Sequence, residues 1–144
     1  MVRKATNLDI KTVSRLAIKL WPDHKLADLE EELASYLEDD SAAIFLFYEN
    51  DRAVGFAQSQ LRRDYVEGTE SSPVGYLEGI FVEIDFRNRG YGRQLVNACE
   101  EWSKTKGCKE FASDCELSNQ TSIDFHKKVG FKEANRIVCF TKKI

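Results

Sequence analysis

The chain has 144 residues, of which 42% are hydrophobic and 31% charged, a globular composition that excludes a disordered chain. Its formal net charge of −3 argues against a general nucleic-acid binder, which needs a basic face. No apolar segment follows Met1-Val2-Arg3-Lys4-Ala5 and no apolar run approaches ~20 residues, so neither a signal peptide nor a membrane span is expected. The length fits one domain over 1–144. Cys99, Cys108, Cys115 and Cys139 form no CxxC pair and have no metal-like spacing with His24 or His126. They read as reduced thiols in a cytoplasmic protein without a bound metal. Cys115 alone lies beside polar candidates for chemistry.

In chain order, Thr6-Asn7-Leu8-Asp9 is a helix start with an acidic residue three after the threonine. Ile10, Val13, Leu16, Ala17 and Leu20 continue at helical spacing, and Trp21-Pro22 ends the run. Leu26, Leu29, Leu33 and Leu37 mark a second helix. Its other face carries Glu30, Glu31, Glu32, Glu38 and Asp39, either a solvated face or a wall that attracts a polycation. A hairpin follows, Ala43–Tyr48 and Ala53–Gln58, with the second strand continuing through Leu61 toward Tyr65. A polar loop, Glu67–Pro73, leads to a strand over Tyr76–Val82. Helices are expected from Gly92 to Lys106 and from Asn119 to Val129, closed by Gly107 and Gly130. Short strands are expected at Lys109–Ser113 and Arg136–Thr141. The order ααβββαβαβ predicts an α/β fold, a mixed α+β sheet with helices on its faces.

Between the strand at 76–82 and its helix lies Arg87-Asn88-Arg89-Gly90-Tyr91-Gly92. A glycine-bearing turn at a helix start aims free N–H groups and the positive end of the helix dipole at one point, which suits a phosphate. A Rossmann turn is excluded because Leu95 stands where the third glycine of G-x-G-x-x-G belongs, and because the unit comes late, after a hairpin.

This turn resembles the Gln/Arg-x-x-Gly-x-Gly/Ala signature of the GCN5-related N-acetyltransferases (GNAT), met by Arg87, Gly90 and Gly92. Asn119 and the run His126-Lys127-Lys128-Val129-Gly130-Phe131 resemble a second mark of that family. Trp21-Pro22, Asp64–Gly68, Ser72-Pro73-Val74, Leu77–Val82 and Ala112-Ser113-Asp114 resemble segments of the short, dimeric bacterial aminoglycoside 6′-N-acetyltransferases.

The resemblance implies acetyl-CoA held between two parallel strands that splay apart, 76–82 and 109–113, with Gly79 at a bulge. Ile80, Phe81 and Val82 would meet the pantetheine arm, with the backbone of Ile80 and Val82 pairing to it. Asn88, Arg89, Gly90, Tyr91, Gly92 and Arg93 would hold the pyrophosphate, and Asn119 the arm near its thioester end. It further implies a homodimer, acetyl transfer to the 6′-amine of aminoglycosides in a ternary complex, and antibiotic resistance.

Such a transfer needs a neutral amine. Deprotonating a lysine-like ammonium at pH 7 costs about 4 kcal/mol, and a carboxylate that orients the amine and relays its proton contributes about 10²–10⁴-fold. Glu78 is the first candidate, a charge in an apolar strand beside the expected bulge. Asp114 follows a short strand, where sheet ends gather ligands, and the resemblance makes it a substrate contact. The resemblance adds Trp21, His24 and Tyr65 to the acceptor pocket, although spacing alone makes Trp21 a core residue and His24 a surface one. His126 stands where relatives carry a tyrosine that protonates the departing thiolate; it is either that acid or a packing residue. Asn135 replaces an acidic residue that in the dimer of some relatives reaches substrate. Two other readings stay open: an acetyltransferase for a polyamine, another small amine or a protein amine, and a non-catalytic acyl-CoA-binding module.

Overall fold

The computed structural model describes all residues, Met1–Ile144. One sheet holds five strands in sequence order: β1 (Val2–Lys4), β2 (Ala42–Glu49), β3 (Arg52–Arg62), β4 (Val74–Val82) and β5 (Phe111–Ser113). Strands β1 to β4 pair antiparallel; β4 and β5 pair parallel. The helices are α1 (Ile10–Leu20), α2 (Leu26–Leu37), α3 (Tyr91–Thr105) and α4 (Gln120–Lys128). Helix α3 is the crossover that a parallel pair requires.

Local chemistry sets the ends. The Asp9 carboxylate accepts from the Thr6 N–H at 2.8 Å and the Thr6 hydroxyl at 3.1 Å, and from Arg3 at 2.7 and 3.0 Å. This starts α1 and ties it to β1. The β2–β3 hairpin turns on Asn50 and Asp51, both at positive φ (48° and 62°), the geometry of a two-residue turn that matches strand twist.

The sheet separates two apolar layers. Val13, Leu16 and Ala17 of α1 and Leu29 and Leu33 of α2 pack on Ile44, Leu46, Ala53 and Phe56. On the opposite face Leu95, Val96, Cys99 and Trp102 of α3 pack on Ala43, Phe45, Phe47, Val54, Ala57 and Leu77. The alternation of β2 between the layers is the period-2 pattern of a sheet covered on both sides, and β3 keeps to both layers across a register irregularity opposite Phe47 and Tyr48.

The register of β3 on β4 slips once. Gln58 opposes Gly79 and Ser59 opposes Leu77, which leaves Glu78 as the extra residue of a bulge. The slip flips the alternation: Leu77 and Ile80 both face the α3 layer, while a Cβ on Gly79 would come within 2.6 Å of Trp21. Glu78 and Gly79 therefore both face α1 and α2.

Three expectations are corrected. Strand β1 has no counterpart among the expected elements; three residues are too few to show a period. Strand β3 ends at Arg62, opposite Val74, and does not reach Tyr65, because β4 begins there and residues beyond it have no strand to pair with. The expected strand Arg136–Thr141 is absent. No backbone–backbone hydrogen bond involves residues 132–144, and a strand without a neighbour has no ladder to hold it.

Candidate active site

At the turn between β4 and α3, Gly90 has φ +82° and Asn88 φ +62°. No protein acceptor takes the N–H groups from Asn88 to Arg93; the first donor of the helix ladder is Gln94, bonded to the Gly90 carbonyl at 3.1 Å. Six consecutive donors and the helix dipole thus point outward together. The two glycines do different work. Gly90 supplies the left-handed conformation, and a Cβ there would have nothing within 4 Å, whereas a Cβ on Gly92 would come 2.8 Å from Phe125. Gly92 therefore permits close packing of α4. Side chains brace the turn: Arg89 donates to Glu49 at 3.1 Å and to the Asp85 carbonyl at 3.0 Å, Tyr91 donates to Glu49 and stacks on Phe47 with centroids 3.9 Å apart, and Arg93 donates to the Lys128 carbonyl at 2.7 Å.

Strands β4 and β5 pair only at Gly75, Tyr76 and Leu77. Pairing stops one residue before the Glu78 bulge, while β4 continues to Val82. The Phe81 carbonyl lies against Gly55 of β3, and the Glu83 N–H donates to Val54 at 2.8 Å. Alternation turns the peptides of Ile80 and Val82 the other way, toward the gap that opens beside β5. The Val82 carbonyl there accepts from Arg87 Nε at 2.8 Å. This edge and the turn suit an elongated ligand ending in phosphate.

On the α1–α2 face a cleft of about 220 Å³ is lined by Trp21, His24, Leu29, Glu32, Leu33, Tyr36, Gln58, Gln60 and Glu78. It brings together three expected residues, Trp21 and His24 from the α1–α2 connection and Glu78 from β4. Trp21 packs against Gly79, edge-on to Phe56 at 5.9 Å, with His24 6.4 Å away. Glu78 is bound on both oxygens by Arg62, 3.0 Å from Nε and 2.8 Å from Nη2. Burial opposes the Arg62 charge, but the hydrogen bond and charge of Glu78 outweigh it and raise the guanidinium above its ordinary pKa. The Arg62 guanidinium also lies 3.4 Å above the Tyr76 ring, and the Tyr76 hydroxyl donates to Asp114. Burial, then Asp114, push that phenol well above its ordinary value. Asp114 is thereby linked to Glu78 through Tyr76 and Arg62.

Tyr65 and Asn135 lie apart from these groups. Tyr65 is 77% exposed on the 63–73 loop, and Asn135 donates to Glu67 at 2.8 Å. Of the acidic face of α2, only Glu32 lines the cleft, where it accepts from Tyr36 at 3.2 Å. Burial and then the Glu32 charge raise the Tyr36 phenol. Glu30 instead pairs with Lys11 at 2.9 Å, Glu38 accepts from Asn7, and Asp39 accepts from Ser41 N–H.

Asn119 caps α4 by accepting from Ser122 N–H at 3.1 Å. His126 Nδ1 lies 2.7 Å from the Ser122 carbonyl and Nε2 2.8 Å from Ser113 Oγ, which is itself 3.1 Å from the Leu77 carbonyl. A carbonyl only accepts, so Nδ1 carries a proton. The one hydroxyl proton of Ser113 cannot serve both Nε2 and Leu77. The His126 ring thus bridges the Ser122 carbonyl of α4 and the Ser113 hydroxyl of β5.

Sequence reasoning missed Arg62, Tyr76, Tyr36, Gln58, Gln60 and Ser113. Signals existed for two groups: Gln58 and Gln60 interrupt an apolar strand, and Glu32 and Tyr36 are four apart on one helix. Cys115 is exposed and does not line the cleft. No group of three or more His, Cys, Asp or Glu side chains is placed to hold a metal ion, and no helix is long and apolar enough to cross a membrane.

Residues 10–131 match the acetyltransferase (GNAT) family. The chain is 42% identical over 140 residues to aminoglycoside N(6′)-acetyltransferase type 1 of Stenotrophomonas maltophilia, covering 96% of this chain and 90% of that protein. It is 40% identical to the protein of the same name from Salmonella typhimurium (strain LT2), covering 94% and 99%. Among solved structures, AAC(6′)-Iy in complex with the bisubstrate analogue CoA-S-monomethyl-acetylneamine superposes with a TM-score of 0.96 at 36% identity, covering 100% of this chain and 98% of that one. AAC(6′)-IG from Acinetobacter haemolyticus, without ligand, gives 0.95 at 36%, covering 100% and 99%. The signature turn, the splayed parallel pair and these full-length likenesses agree, and the chain belongs to the acetyltransferase (GNAT) family.

Proposed function

We propose that this protein transfers the acetyl group of acetyl-CoA to the 6′-amine of aminoglycoside antibiotics and so confers resistance to them. The observation that carries the reading is the bulge at Glu78. It ends the β4–β5 pairing, which opens the gap for one substrate, and it puts a carboxylate into the cleft for the other. Support comes from the relatives, named for aminoglycoside acetylation, and from a neighbour bound to an analogue that joins CoA to an acetylneamine.

Acetyl-CoA supplies the thioester carbonyl that the amine attacks. The N–H groups of Asn88 to Arg93 hold its pyrophosphate, and the peptides of Ile80 and Val82 line its arm; Phe81 between them faces β3. The free Nδ2 of the Asn119 cap is the group that would meet the arm. On the acceptor side Glu78 orients the amine and takes up its proton, directly or through water. Glu32 adds charge for a polycation, while Trp21 and His24 form an aromatic wall. Asp114 and Tyr65 meet more distant parts of the acceptor. His126, donating through Ser113 toward the end of the β4–β5 pairing, is the acid for the departing thiolate.

The working unit in this reading is a homodimer in the cytoplasm. The exposed segment after Phe131 supports the first: Ile137, Val138 and Phe140 are 67%, 76% and 89% exposed, and a second copy is the surface that covers them and brings Asn135 toward substrate. Four unbridged cysteines support the second. Sedimentation at micromolar concentration should give a mass near twice the 16.5 kDa chain; a strict monomer contradicts the dimer.

The function is tested by thiol release from acetyl-CoA with kanamycin, tobramycin and a panel of polyamines. The highest kcat/KM is expected for the aminoglycosides. Equal or better turnover of a polyamine transfers the acceptor assignment to that amine, and no turnover with any aminoglycoside bearing a 6′-amine rejects the reading.

A further inference from the structure

Glu78 does not face the cleft as a free carboxylate. Both of its oxygens are taken by the Arg62 fork, at 3.0 and 2.8 Å. An acceptor ammonium that approaches Glu78 meets a group already paired on both oxygens with a cation of its own sign. Guanidinium is never deprotonated in proteins, so Arg62 cannot relay the proton of the amine.

Arg62 has somewhere else to go. Its side chain is 42% exposed against 20% for Glu78, and it leaves the end of β3 as a long, flexible arm. Its guanidinium already lies 3.4 Å above the Tyr76 ring, and the hydroxyl of that ring is bonded to Asp114, whose charge Arg62 also feels. The ring is thus a platform between two carboxylates, Glu78 on one side and Asp114 on the other.

We propose that Arg62 is a displaceable counter-ion for Glu78: it occupies the seat of the acceptor ammonium in the free enzyme and yields to it along the Tyr76 ring toward Asp114. The inference rests on Glu78 receiving the acceptor amine. Arg62 is then a positioning residue that raises KM for cationic acceptors and favours acceptors with enough charge to displace it. It keeps the cleft carboxylate compensated and ordered between turnovers.

The test is a double-mutant cycle read in steady-state kinetics, with KM and kcat separated. A half-exposed ion pair is worth up to about fivefold in an equilibrium, so Arg62→Gln should lower KM for kanamycin by roughly that factor, with little change in kcat and none in KM for acetyl-CoA. Arg62→Lys, which keeps the charge but loses the fork, should fall between. In a Glu78→Gln background Arg62→Gln should have no further effect on acceptor KM. A KM that rises, an unchanged KM, or the same change in both backgrounds overturns the proposal. If Glu78→Gln alone leaves both kanamycin KM and kcat intact, it is the acceptor site itself that fails. A retained circular dichroism spectrum and melting temperature separate each outcome from misfolding.

Discussion

All 31 buried residues lie at or before Ser103; from Lys104 to Ile144 there is none. The first region is a sheet sandwiched between α1–α2 and α3 and supports itself. The second touches that body through small contacts: β5 pairs three residues, Phe125 sits on Gly92, and Arg93 donates to the Lys128 carbonyl at 2.7 Å. The candidate site is split the same way. Trp21, Glu78, Arg62 and the phosphate turn belong to the packed region, while Ser113, Asp114, Asn119, His126 and Asn135 belong to the exposed one. A well-buried wall therefore faces a weakly buried wall, and the burial that the second wall lacks is what bound substrates can add.

The largest expected effect probes the well-buried side. Glu78→Gln should lower kcat/KM for kanamycin by about 10²–10⁴-fold, the contribution of a positioned base, with an unchanged melting temperature; near-normal kcat/KM removes Glu78 from the chemistry. The two regions should also differ in stability. Leu46→Ala, in the α1–α2 layer and fully buried, should cost about 2–5 kcal/mol in urea unfolding. Ile123→Ala on half-buried α4 should cost clearly less, and equal losses would erase the contrast.

The first region was the more legible in sequence. The leucines of α1 and α2 and the apolar strands of the hairpin carry periods that burial on one side enforces. Both substrates could be inferred because Arg87–Gly92 and the segments around Trp21, Glu78 and Asp114 are local patterns. Arg62 was not legible: nothing in its neighbours shows that a bulge sixteen residues later aims Glu78 at it. The segment 136–141 misled for the opposite reason. Its short apolar run, Ile137–Phe140, has a strand's composition, but no strand of the sheet pairs with it.

Ligand binding should sharpen the difference. CoA at about 100 times its Kd should stabilise the protein by about 2.7 kcal/mol, and hydrogen exchange should slow most at Asn88–Arg93 and in α4. Uniform slowing across β2 and β3 instead would mean that the weakly buried wall is not where CoA adds order.

A smaller effect belongs to Asp9, anchored in the packed region. Hydrogen bonds from Arg3, assisted by the Thr6 N–H and hydroxyl and opposed by burial, hold its carboxyl below the ordinary value. A depressed folded-state pKa contributes stability above the unfolded value of about 4 and loses it as pH falls through the folded one. Asp9→Asn should therefore melt below the parent at pH 7, with the gap closing under pH 4. A gap that persists at pH 2 would show that the charge is not its source.

The central claim is acetylation of a 6′-amine, and neomycin and paromomycin test it most directly, because they differ by amine against hydroxyl at that carbon. With purified protein and acetyl-CoA, neomycin should release thiol and gain a single acetyl group on its 6′-nitrogen, while paromomycin should give no thiol above background. Equal turnover of the two, or acetylation of neomycin at another nitrogen, would contradict the account.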